Sequence, residues 1–164
     1  MWDEFLKILK LYPSVLKDLN EGCTKEEILS AESNIGVKFP STLIQVYLKN
    51  NGQCIDSKGI FKAVSGYDKY SRLKLLSLKS VENIWKILYH TDGLDVFEKT
   101  YIPFAADDEK CIDDVYCIDA KTGEVFLLWT SIYDWNYPID WQTHRFSRGK
   151  NMELFLQKQI EMYW

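Results

Sequence analysis

Ile28-Leu29-Ser30-Ala31-Glu32-Ser33-Asn34-Ile35-Gly36-Val37-Lys38-Phe39-Pro40 reads as one helix running to a stop and a second about to begin. Just upstream, Thr24 and Glu27 have the spacing of a capping box, in which the hydroxyl and the carboxylate each accept a free amide of the first turn. Ile28, Leu29, Ala31 and Ile35 carry the helix, and Gly36 supplies the left-handed residue that closes it. Pro40 presets the backbone for the next helix, whose buried face is Leu43, Val46 and Tyr47, and Asn50-Asn51-Gly52 ends it. Glu32 stands among the apolar residues of the first of these helices. Without a positioned partner it reads as an acceptor for free backbone amides near the start of the following helix, not as a general base.

Working outward, Trp2, Phe5, Leu6, Leu9 and Tyr12 recur at three- and four-residue steps and predict an amphipathic helix ended by Pro13. Residues 59–65 and 73–78 read as strands, and Ser80 as the N-cap of a helix carrying Val81, Ile84, Trp85 and Leu88. Tyr101-Ile102-Pro103-Phe104-Ala105 is a further strand, whose proline suits a sheet edge or a strand start. Residues 115–118 and 125–129 flank Asp119-Ala120-Lys121-Thr122-Gly123-Glu124, which fits a hairpin with a type I turn and a glycine bulge. An aromatic strand or loop runs through Trp141, and Met152, Phe155, Leu156, Met162 and Tyr163 predict a closing helix. Hairpin-linked strands with helices before, between and after them predict a single α+β domain over residues 1–164, a mainly antiparallel sheet covered by helices on one side.

The order of these motifs resembles that of the SUKH superfamily, also called the Smi/Knr-like family. The match rests on the helix–Gly36-x-x-Phe39-Pro40–helix–Asn51-Gly52 unit, with Glu32 at the family's glutamate position. Ile102-Pro103-Phe104-Ala105, Tyr116-Cys117-Ile118-Asp119, Gly123-Glu124-Val125 and Phe155-Leu156 then follow, so the likeness spans about residues 20–160. The resemblance implies an immunity protein that binds a cognate bacterial toxin, frequently a nuclease or a deaminase. It also leaves open the regulatory branch of the superfamily, which acts as protein-interaction scaffolds.

Composition agrees with a protein that docks. Net charge is −4, but residues 92–119 alone carry −7, against +3 for residues 1–91 and zero for residues 120–164. Such a stretch repels nucleic acid and anionic lipid and steers basic partners toward itself. The N-terminus carries acids where a secretory leader carries Lys or Arg, and no apolar run approaches the roughly 18 residues that span a bilayer. Four scattered cysteines are too few for a disulfide framework and read as free thiols of a cytoplasmic protein.

Chemistry finds little footing. His90 and His144 are the only imidazoles, and a Cys–His nucleophile would have to join Cys111 or Cys117 to His144 across distant segments. No zinc spacing occurs. The acid-rich run from Asp107 fails as a calcium loop, with Ile112 where the turn needs glycine and Ile118 where the ion needs a bidentate carboxylate. No catalytic residue, metal ligand or cofactor site is therefore expected. Seven of the 21 residues in 126–146 are aromatic, more than core packing requires, and Trp and Tyr bury much area at little rotamer cost. The candidate contacts for a basic toxin are Asp107, Asp108, Glu109, Asp113 and Asp114 with Trp135, Tyr137 and Trp141. A small carbohydrate- or nucleotide-acting enzyme using an aromatic cleft is the alternative from another class.

Overall fold

The computed structural model describes residues 1–54, 56–63, 72–90, 97–107, 112–130 and 145–163. Four helices come first: α1 (Trp2–Leu9), α2 (Pro13–Leu16), α3 (Lys25–Ile35) and α4 (Ser41–Lys49). Strands β1 (Phe61–Lys62) and β2 (Arg72–Leu75), helix α5 (Leu78–His90), strands β3 (Tyr101–Ala106), β4 (Asp114–Asp119), β5 (Val125–Trp129) and β6 (Arg145–Gly149), and helix α6 (Met152–Tyr163) follow. The sheet is antiparallel throughout, with its strands in chain order. The α+β class expected from the sequence is the one observed.

The α3–α4 unit forms as read. Thr24 Oγ1 accepts from Glu27 N and Glu27 Oε2 accepts from Thr24 N, closing the box at 3.2 and 2.7 Å. Gly36 ends α3 at φ 69°. Glu32 is buried, and its Oε1 accepts the Phe39 amide at 2.7 Å while Oε2 accepts Lys38 Nζ at 2.8 Å. The carboxylate thus ties the end of α3 to the residue before Pro40, a structural role. Gly52 is required twice over: its φ is 81°, and a Cβ there would stand 2.5 Å from the Ser77 amide nitrogen.

Four local expectations shift. Helix α1 stops at Leu9, and Pro13 opens the short α2 rather than only ending what precedes it. Strand β2 ends at Leu75, because Ser77 rather than Ser80 caps α5: Ser77 Oγ accepts the Ser80 amide at 3.2 Å, and Asn51 Oδ1 takes the Leu78 amide at 2.8 Å. Among the described residues of 59–65, only Phe61 and Lys62 are strand. Strand β3 is interior to the sheet, and Pro103 is accommodated by a register shift between Pro103 and Ala105 instead of by an edge.

The sheet curls. Flat strands β1 and β4 would lie about 14 Å apart, yet the Tyr116 hydroxyl on β4 donates to the Lys62 carbonyl on β1 at 3.0 Å. Inside the curl, Phe5 of α1 stacks on Phe61 at 5.7 Å, Phe61 meets Phe104 edge-on at 5.7 Å, and Tyr116 meets Phe155 of α6 at 5.0 Å. Both faces of the central strands are covered: every residue of β4 is buried, and on the face opposite Tyr116 the Phe126 ring lies under Tyr101 and the Arg145 guanidinium, 4.8 and 4.1 Å away. Continuous apolar runs, not alternation, mark strands buried on two sides.

Helix α6 closes the outer edge. Lys62 turns both backbone groups away from β2, and Gln159 meets both, its Oε1 accepting the Lys62 amide at 2.8 Å and its Nε2 donating to the Lys62 carbonyl at 3.0 Å. One side-chain amide thus occupies the place of a neighbouring strand. The Tyr163 hydroxyl donates to the Ile60 carbonyl at 2.7 Å and completes the seal.

Candidate interaction site

The turn end of β3–β4 holds three of the acidic candidates in unequal roles. Asp107 follows β3, and its Oδ1 accepts the amides of Asp113 and Asp114 at 3.3 and 3.2 Å, so its carboxylate pins the opening of β4. The Asp107 amide in turn donates to the Asp114 carbonyl at 3.2 Å. Asp114 is buried at 9% exposure. Asp113 is exposed, and its carbonyl accepts the Thr130 amide at 2.8 Å, which holds the end of β5 against it. The Thr130 hydroxyl donates to the Ile112 carbonyl, fixing the same corner from below.

Strand pairing brings an aromatic to that corner. Asp114 lies directly opposite Trp129, which is 38% exposed. The corner therefore presents one open carboxylate and one half-open indole on a backbone held by five hydrogen bonds. Asp108, Glu109, Trp135, Tyr137 and Trp141 lie outside the described residues. Trp129 belonged to the aromatic-rich window without being singled out; its place at the last position of the strand, where cover runs out, was the available signal.

The charge concentrated in residues 92–119 is divided by the fold. Asp107, Asp113 and Asp114 occupy one end of the β3–β4 hairpin, while Glu98 and Asp119 occupy the other, about 17 Å away along five strand steps. At that far end Glu98 pairs with Lys121 at 3.4 Å. Asp119 folds into its own turn, accepting from the Lys121 amide and the Thr122 hydroxyl at 2.9 Å each. Among the described residues of this stretch, only Asp113, at the near end, is an exposed acid outside any ion pair or turn hydrogen bond of its carboxylate.

Thiol chemistry is suppressed at the two buried cysteines, Cys23 and Cys117. Cys117 is fully buried, and burial pushes its thiol well above the ordinary range; burial also pushes the Cys23 thiol up. A protonated thiol is the opposite of an activated nucleophile. Cys111 and His144 lie outside the described residues. Among the described residues, no three His, Cys, Asp or Glu side chains converge as a metal site requires, and no helix is long and apolar enough to cross a membrane.

A family model, SMI1/KNR4 (SUKH-1), matches residues 22–158, from the approach to α3 to the middle of α6. The chain belongs to that family. The matched span takes in each motif on which the likeness was read, together with the whole sheet, and leaves α1 and α2 outside it. None of the curated proteins matches this SUKH-1 chain.

Proposed function

We propose that this SUKH-1 chain is an immunity protein that binds a cognate toxin, basic in charge, and blocks its active site by occupying it. The observation that carries the reading is the corner where Asp113 is exposed next to the Asp114–Trp129 pair, whose indole is half-exposed, on a backbone held by hydrogen bonds. The carboxylate steers a basic partner during approach, and the indole supplies area that is slow to release once buried. The preset backbone keeps the ordering cost of binding low.

The test is binding of the purified chain to the toxin domain encoded beside it, followed by stopped-flow at low and high salt. Asp113→Lys is expected to slow association, with the difference shrinking as salt rises, and Trp129→Ala to speed dissociation. Toxin that binds both variants as it binds the parent would remove this corner from the interface; toxin that does not bind the parent would end the immunity reading.

A further inference from the structure

A second surface has the opposite charge. Between β6 and α6 lies a cleft of about 370 Å³, floored by Tyr116 and walled by Ser147, Arg148, Phe155, Lys158 and Met162. Gln159 forms part of its floor but is committed to the Lys62 backbone. Glu161 is the single carboxylate among the lining residues, and Gln157 Nε2 donates to it at 3.3 Å. The walls are thus the rings of Tyr116 and Phe155 and the Met162 thioether, with a guanidinium on one bank and an ammonium on the other.

The positive character is local and continues along α6. Lys158 is exposed and forms no ion pair with any described residue. On the other flank of the helix, Lys62 Nζ lies 4.4 Å and Arg72 Cζ 5.3 Å from the centre of the Tyr163 ring, again with no carboxylate bridged to either among the described residues. Four cations thus border the C-terminal half of one helix in a chain of net charge −4. Beside the Arg148 bank, with the guanidinium carbon 5.6 Å from its ring centre, Phe146 is 42% exposed. Apolar walls, cationic banks and an exposed ring at the rim complement a carboxylate flanked by apolar groups.

We propose that this cleft receives a glutamate or aspartate side chain carried on an apolar-flanked segment of a protein partner. The carboxylate sits between Arg148 and Lys158, and its apolar neighbours pack on Phe146 and Met162. This surface is independent of the toxin-facing corner and stands whether or not that reading holds.

The probe is a blocked peptide, acetyl-Gly-Leu-Glu-Leu-Gly-amide, titrated into the full chain and followed by backbone amide shifts, beside its Gln counterpart. Saturable shifts are expected at Ser147, Arg148, Phe155, Lys158 and Met162, with the Glu peptide binding about three- to five-fold tighter, the discrimination a half-exposed ion pair supplies. Lys158→Gln, a surface change that leaves the spectrum of the free protein otherwise intact, should reduce that preference. Equal binding of the two peptides, shifts confined to other surfaces, or no saturable shift up to about 10 mM would each overturn the proposal.

Discussion

Replacing Gln159 by Leu tests whether a side-chain amide stands in for a strand. Gln159 is 1% exposed, and its two hydrogen bonds to Lys62, at 2.8 and 3.0 Å, are the outer partners of β1. Leucine has a similar volume, so packing changes little and the loss is polar. The Lys62 carbonyl keeps the Tyr116 hydroxyl at 3.0 Å, so losing its bond to Gln159 costs about 1 kcal/mol. The Lys62 amide keeps no partner in this structure, and leaving it half-buried and unmet costs about 1–2 kcal/mol more. The total, ~2–3 kcal/mol, should lower the melting temperature by about 5–10 °C for a domain of this size. Urea unfolding should show an earlier midpoint at unchanged slope, and hydrogen exchange should speed at the Lys62 amide first. A loss below about 0.5 kcal/mol, or exchange at Lys62 no faster than in the parent, would refute the strand-substitute reasoning.

Three further outcomes follow from the same structure. Burial pushes the Tyr116 hydroxyl up to about 12 from an ordinary 10.0, so the native state holds its proton more tightly than the unfolded chain. That stabilisation is complete below pH 10 and fades as pH rises through about 12; Tyr116→Phe should abolish about 2–3 kcal/mol of the alkaline loss measured by denaturant titration, and an unchanged alkaline slope would contradict the assignment. Glu32→Ala strands the Phe39 amide and should cost about 2–3 kcal/mol, whereas Lys38→Ala, at an 81% exposed partner, should cost at most about 0.5; equal costs would mean the ion pair, not the backbone tie, matters. In thiol labelling with mass mapping, exposed Cys54 should react in the native protein while Cys23 and Cys117 wait for unfolding, and modification of Cys117 at the rate of Cys54 would show that its strand opens.

What was legible in the chain was what local chemistry decides. The capping box, the Gly36 stop, the Leu43–Val46–Tyr47 face and the turn at Gly123, whose φ is 78°, depend on residues within a few positions of one another, and each formed as read. The misread positions answer to distant partners. Asn51 takes the Leu78 amide and so helps to place the start of α5, and the Pro103 bulge is set by pairing with β4. Gln159 and Glu32 show the same contrast at buried polar groups. Glu32 lies seven residues from the amide it accepts and was read correctly, while Gln159 is 97 residues from Lys62 and carried no local sign of its role. For the candidate site, composition located acids and aromatics but not their division: only the fold separates Asp113 and Asp114 from Asp119 and sets Trp129 opposite Asp114.

The chain-order sheet has a consequence for how the protein is made. Each strand is laid against the one synthesised just before it, so the sheet can grow as it emerges. The outer side of β1 is the exception, since its partner arrives 97 residues later; at 5–20 residues per second that is a wait of about 5–20 s. An open strand edge exposed for that long is a template for pairing with the wrong chain. At two residues, β1 offers too little ladder for an intruder to grip.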